Sequence, residues 1–184
     1  MVKKRDKILI TSGRRHSFAS GLNFYKLFWI FLIGSFFGVV AETLWCFIVQ
    51  HKFEIRWGLI YGPFNPVYGF GAVIMTVCLN RLSFLKDRWI FLICMVIGAS
   101  FEYLCSLFQE MAFHTTSWDY SEIDSNFSGR TSILFAFFWG ILGLIWLKDT
   151  YPRISRIIEK IPSKVGIILT WVLFIYMAIN MTLS

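Results

Sequence analysis

Charged side chains are scarce in this 184-residue chain: only 16% of its residues are charged, whereas 57% are hydrophobic and 19% are aromatic. A chain with so few charges cannot cover a folded surface in water, which excludes an ordinary soluble domain. Its mean hydropathy of +0.62 points the same way. We therefore expect an all-α, polytopic integral membrane protein, in which each helix of about 20 apolar residues crosses the bilayer.

Cysteines are also few, and all four (Cys46, Cys78, Cys94 and Cys105) fall inside apolar runs without a C-x-x-C pair. This placement is typical of small core residues and excludes a disulfide framework. The sequence contains no phosphate-binding P-loop, no Gly-x-Ser-x-Gly and no His-Glu-x-x-His. We predict no metal site and no cofactor.

Apolar runs divide the chain into a basic N-terminal segment, residues 1–23, and a single transmembrane domain, residues 24–184. Five runs are long enough to suggest about five transmembrane helices. Asn65 and Pro66 are a favourable N-cap and first residue for the second of them. The expected spans are Phe24–Val49, Pro66–Leu79, Trp89–Phe113, Thr131–Leu147 and Val165–Leu183.

Basic residues are distributed unequally between the two sides of this five-span arrangement. Fifteen Lys and Arg lie on the side of the N-terminus, and three (Lys52, Arg56 and Arg130) lie on the other. The positive-inside rule places the N-terminus in the cytoplasm and the C-terminus outside the cell membrane. Because the net charge of +7 flanks apolar spans, it indicates orientation in the bilayer and not nucleic-acid binding.

The stretch from Arg56 to Gly71 is apolar but interrupted by four glycines and two prolines. A regular helix is excluded there, so backbone N–H and C=O groups must find partners inside the protein or at a wet cavity. Broken backbone at membrane depth is typical of binding sites in transporters. The alternative is a tightly packed entry into the next helix.

A shift of 60 residues superposes Gly38 on Gly98 and Glu42 on Glu102. Each copy would be a helix, an external loop and a returning helix. This pattern suggests two helical hairpins in parallel repeat plus a fifth span, with the two glutamates at equivalent depth.

Ionisable residues within spans are costly and usually face a bundle interior or an aqueous path. Glu42 and Glu102 meet this description, and Arg56 and Arg130 are their expected partners at the outer ends of the helices. One interpretation is an outward-facing polar pocket, and the other is a pair of structural ion pairs. The predicted substrate-binding residues are Glu42, Arg56, Asn65, Glu102, Glu110, Trp118, Asp119, Tyr120, Asn126 and Arg130.

Between Pro152 and Pro162, isoleucines recur at helical spacing opposite basic and acidic residues. This pattern predicts a short amphipathic helix on the membrane surface. A coupling helix for a cytoplasmic partner would have a similar pattern.

Several short motifs together resemble the ABC-transporter type IV, or CmpB-like, membrane family. The motifs are Arg56 to Ala72, Phe101-Glu-Tyr, Trp118-Asp-Tyr-Ser, Asn126-Phe-Ser-Gly-Arg and Trp139-Gly, and the resemblance covers about Phe24 to Leu147. It implies a small membrane transporter or permease component for a small solute, for which an anion is one candidate. The expected partners are membrane lipid, a second copy or another membrane subunit, and a cytoplasmic ATPase. The second hypothesis is a membrane-embedded enzyme or binding subunit that acts on a lipid or wall precursor at the outer face.

Overall fold

The computed structural model describes residues 17–51, 53 and 57–184. Within these ranges the architecture is helical, apart from a two-stranded antiparallel hairpin in which Asn126 lies opposite Ser132. A π-helical turn, Trp146–Thr150, joins the helix Ile133–Ile145 directly to the helix Tyr151–Glu159. The elements are α1 Phe24–Gln50, α2 Pro66–Asn80, α3 Asp87–Phe113, β1 Asn126–Phe127, β2 Thr131–Ser132, α4 Ile133–Ile145, α5 Tyr151–Glu159 and α6 Ser163–Leu183.

Among the described residues, four helical segments are long and apolar enough to cross a membrane: Phe24–Ile48, Asp87–Phe113, Ile133–Glu159 and Ser163–Leu183. The chain is therefore a multi-pass membrane protein. The predicted second span forms a helix, α2, but it has only 15 residues. At about 1.5 Å per residue it is shorter than the ~30 Å hydrocarbon core. The structure thus shows four of the five predicted spans, and α2 is not confirmed as the other one.

The start of α2 is fixed by its cap, as the sequence predicted. The side chain of Asn65 accepts a hydrogen bond from the Val67 amide at 3.1 Å, and Pro66 is the first helical residue. The Asn65 amide itself donates to the carbonyl of Ser35, 3.1 Å away in the middle of α1. The helix entry is therefore attached to the neighbouring span.

Helices α1 and α2 approach each other closely through glycines. A Cβ atom added at Gly38 would lie 2.2 Å from the Tyr68 side chain, and one added at Gly34 would lie 2.7 Å from Ala72. Gly34 and Gly38, one turn apart, therefore form the face of α1 against which α2 packs.

Helices α3 and α4 pack in the same way. A Cβ atom added at Gly98 would lie 2.2 Å from the Trp139 ring, and one added at Gly143 would lie 2.2 Å from Cys94. Each pair of antiparallel helices is thus held at a distance that larger residues would not allow.

The predicted amphipathic helix is present as α5, but its apolar side contacts protein. Ile158 is only 1% exposed and belongs to a core cluster with Phe18 and Ile30. Beside it, Lys26 is 2% exposed and forms an ion pair with Glu159. This packing differs from a helix lying only on the membrane surface, because Ile154 and Ile158 pack against the N-terminal end of α1, although Ile157 stays exposed.

The broken stretch before α2 obtains hydrogen bonds from the C-terminal end of α6. Asn180, which is 1% exposed, accepts from the Tyr61 amide at 3.1 Å and donates to the Tyr61 carbonyl at 2.5 Å. Tyr176 donates to the same carbonyl, and the Ile60 amide donates to Ser184 Oγ at 3.0 Å. The predicted need for backbone partners is met here by α6.

Candidate functional site

A carboxylate lies buried near the middle of α3. Glu102 is 8% exposed, and it follows Gly98 by one turn on the buried stripe of the helix. Since Trp139 of α4 packs against Gly98, the carboxylate faces a neighbouring helix and not lipid. This orientation agrees with the expectation that an ionisable residue within a span faces the bundle interior.

Glu102 is held by two hydroxyl groups. Tyr120 donates to Oε1 at 2.8 Å, and the buried Thr131 donates to Oε2 at 2.7 Å. We call these three residues the Glu102 cluster. Tyr120 comes from the loop after α3 and Thr131 from β2, so the loop folds back onto the middle of the span. No Lys, Arg or His is paired with Glu102 in the part of the chain that the structure describes.

Tyr120 also brings the cluster close to the first hairpin. Burial raises the pKa of Tyr120, and the negative charges of Glu102 and Glu42 raise it further. The phenol therefore stays protonated and able to donate. Its ring stacks on Phe135 at the start of α4, with centroids 4.3 Å apart. The charge of Glu42 on α1 thus acts on the same phenol that donates to Glu102.

Glu42 accepts a hydrogen bond from the hydroxyl of Tyr68 on α2. Tyr68 is the residue that packs against Gly38, one turn before Glu42, so the close helix approach also supplies the donor. The predicted partner, Arg56, lies outside the described residues.

Arg130 does not pair with Glu102, contrary to the sequence-based expectation. Its guanidinium forms an ion pair with Glu110 and donates to Ser106 Oγ at 3.3 Å. The carboxylate of Glu110 holds the pKa of Arg130 above its ordinary value. Glu110 lies near the C-terminal end of α3, two turns after Glu102, and it captures the arginine at the edge of the helix bundle.

Three predicted site residues shape the loop and do not enter the cluster. The Trp118 indole donates to the Arg130 carbonyl at 2.9 Å. Asn126 donates to the Ile123 carbonyl at 2.8 Å and accepts from the Gly129 amide at 2.9 Å. Asp119 is exposed, and hydrogen bonds from Ser121 hold its pKa below the ordinary value. Together they position Tyr120 and Thr131. Asn65, which caps α2, is likewise structural.

Sequence reasoning missed two hydroxyl groups of this region, Tyr68 and Thr131. Both occur at or near the beginning of a returning helix, next to residues that were singled out. A hydroxyl in that position, opposite a glutamate in the preceding span, is the signal that could have found them.

A shallow, open depression of about 430 Å³ lies on the surface beside the cluster. Its lining includes Thr131, so it reaches one hydrogen-bond donor of Glu102. The other lining residues are Ala99, Ser100, Tyr103, Leu104 and Phe127. Among the described residues, no group of three or more His, Cys, Asp and Glu side chains could hold a metal ion.

Comparison with known proteins gives one family. The model of the family described as "Putative ABC-transporter type IV" matches residues 29–184, which include all of the described helices except the first five residues of α1. Comparisons with curated proteins and with solved structures find no match.

Proposed function

From the premise that this chain belongs to the ABC-transporter type IV family, we propose that it is a membrane component of a transporter for a small solute. The observation that carries the proposal is the buried carboxylate of Glu102 within a membrane span, held by the hydroxyl groups of Tyr120 and Thr131. Two carboxylates in apolar spans are costly, and such residues commonly mark a substrate or ion path. We expect the polar region formed by the Glu102 cluster and Glu42 to be the solute site.

The packing of the helices supports two hairpins in parallel repeat. Gly38 and Gly98, 60 residues apart, receive Tyr68 and Trp139, while Gly34 and Cys94, again 60 apart, face Ala72 and Gly143. Tyr68 and Trp139 are 71 residues apart, as are Ala72 and Gly143. Gly69 and Gly140, also 71 apart, continue the series, since their neighbours Phe31 and Phe91 are again 60 apart. Sites at repeat interfaces are common in transporters, and the two glutamates lie at equivalent positions of such a repeat.

An anionic solute would bind through Arg130, whose fork of donors suits a carboxylate or phosphate. Glu110 would then be the internal competitor, because it occupies the guanidinium in this structure. The half-buried arginine beside an exposed glutamate allows such an exchange without opening the core.

We propose that the 114–130 loop lies outside the cell and that the N-terminus is cytoplasmic, on the basis of the positive-inside rule. A single cysteine at Ser125, in a protein that lacks the four native cysteines, should react with an impermeant reagent added to intact cells. Labelling that requires membrane permeabilisation would reverse the orientation.

A component of this family is expected to act with other subunits, among them a cytoplasmic ATPase. Affinity purification of the full-length protein in mild detergent tests this directly. Recovery of an ATPase in stoichiometric amount supports a permease subunit. Purification without an ATPase, together with bound precursor or lipid, would favour the second hypothesis below.

The alternative is a membrane-embedded enzyme or binding subunit for a lipid or wall precursor. The specific observation in its favour is the depression beside Thr131, whose walls include Ala99, Leu104 and Phe127. Mass spectrometry of lipids that co-purify with the protein distinguishes the two. A single enriched lipid species, lost when Leu104 is replaced by a charged residue, would support this alternative.

A further inference from the structure

Glu102 is unusual because two of its hydrogen-bond partners fit both protonation states of a carboxyl group, while the third, the Trp139 indole, only donates. A hydroxyl group can donate a hydrogen bond to a carboxylate or accept one from a carboxylic acid, whereas arginine and lysine can only donate. Tyr120 and Thr131 are both hydroxyl-bearing, and each contacts a different oxygen of Glu102. Rotation of one hydroxyl is therefore enough to satisfy the group after it takes up a proton.

Among the residues that the structure describes, the surroundings of Glu102 offer no fixed cation to replace that proton. A buried carboxylate without a cation is costly, and binding a proton removes the charge. Arg130 is the nearest arginine among the described residues, and it is engaged by Glu110 and Ser106. An arginine partner would have locked Glu102 in the charged state.

The ionisable groups around Glu102 can be named element by element within the described residues. Helix α3 itself contributes Cys105 one turn away, the loop contributes Tyr120 and Arg130, and α1 contributes Glu42 across the phenol. Helix α4 has no ionisable residue in its sequence. Glu42 in turn accepts a hydrogen bond from Tyr68. The ionisable groups of this region are therefore two carboxyl groups and two tyrosines, beside Cys105 and Arg130.

A route to the surface is short. Thr131 donates to Glu102 and also borders the open depression, so one side chain separates the carboxyl group from the exterior of the bundle. Tyr120 provides a second hydroxyl group, which connects Glu102 to the loop after α3. A proton from water can reach an oxygen of Glu102 through either side chain and can leave by the same way.

We propose that Glu102 is a reversible proton-binding site, so that the solute path of this protein is coupled to the uptake and release of a proton. In the binding step, a hydronium ion gives its proton to one carboxylate oxygen and leaves as water. The step is reversed on release, and no other reactant is needed. The coupling rests on the proposed transport function, whereas proton binding can be measured without transport.

Infrared difference spectroscopy of the full-length protein in lipid nanodiscs tests the inference, with pH stepped from mildly acidic to mildly alkaline. The wild type should show the C=O stretching band of a buried carboxylic acid, and this band should disappear as pH rises. Glu102→Gln should remove the band. Glu110→Gln, on the same helix but exposed and paired with Arg130, should leave it unchanged and is the matched control.

A second variant keeps the test informative if Glu102→Gln does not fold. Tyr120→Phe removes one hydrogen bond to the carboxyl group, so the band should remain but move to higher frequency. Absence of a pH-dependent carboxylic-acid band, or a band that neither variant alters, would overturn the inference. Such a result would leave the transporter proposal standing, since that proposal depends on subunit and ligand recovery.

Discussion

The hydroxyl of Tyr120 lies 2.8 Å from Oε1 of Glu102, and this hydrogen bond joins the loop after α3 to the middle of a membrane span. The two residues are 18 positions apart in sequence. The bond closes the end of the second hairpin over its buried carboxyl group. It also brings the loop near Glu42 of the first hairpin.

Tyr120→Phe should therefore weaken the fold as well as the site. Loss of a hydrogen bond to a buried carboxyl group should cost about 1–3 kcal/mol in the free energy of unfolding. Thermal unfolding in detergent measures the effect. Tyr61→Phe is the control, because the Tyr61 side chain is 56% exposed. Equal stability of the two variants would contradict the role given to this hydroxyl.

Asn180 should be necessary for the conformation of the broken stretch. Asn180→Leu leaves the Tyr61 amide without its side-chain partner, which should cost about 1–3 kcal/mol, whereas the Tyr61 carbonyl keeps the hydroxyl of Tyr176. We expect faster proteolysis within residues 57–64. Mass spectrometry of the fragments measures the position and rate of cleavage. Thr182→Ala is the control, since the exposed Thr182 bonds only within its own helix. Unchanged cleavage in Asn180→Leu would show that α6 does not hold this stretch.

The buried pair of Lys26 and Glu159 should be coupled in stability. Lys26→Met strands a carboxylate that is 18% exposed, and breaking such a pair costs about 3–5 kcal/mol. The double variant with Glu159→Gln should recover much of this loss. The more exposed pair of Lys148 and Asp87 is the comparison and should contribute about 0–1 kcal/mol. Additive losses in the Lys26 and Glu159 cycle would rule out the coupling.

The helices and their caps could be predicted from the sequence because they depend on local patterns. Asn65 and Pro66 start α2, and the long apolar runs of α1, α3 and α6 end within a few residues of the predicted bounds. The stripe through Gly98 and Glu102 follows from helical periodicity alone.

The partners could not be predicted, because they depend on tertiary structure. Their opposite charges favour an ion pair between Arg130 and Glu102. The loop, however, turns through the left-handed residues Ser125, Ser128 and Gly129 before it reaches the span. Those turns direct Thr131 inward and leave Arg130 beside Glu110. Lys26, which the charge count treated as an orientation signal, pairs with a residue 133 positions away.

Arg130→Lys distinguishes an anion-binding arginine from a structural one. Lysine keeps the charge but loses the bidentate fork, so binding of an anionic solute should weaken. Stability should change little, because lysine keeps the positive charge beside Glu110, which is 52% exposed. Isothermal titration with candidate anions and thermal unfolding measure the two effects. Loss of stability with unchanged binding would assign Arg130 to the fold.

Glu102→Gln tests the central claim, that the Glu102 cluster is a functional site and not only a structural support. Glutamine has nearly the same shape, and the hydroxyls of Tyr120 and Thr131 can turn to meet its amide. The measurement is complementation of the growth phenotype of a deletion strain, with thermal unfolding of the same variant and Glu122→Gln, an exposed loop carboxylate, as control. We predict a folded Glu102→Gln protein that fails to complement, while Glu122→Gln complements. Full complementation by Glu102→Gln would contradict the account.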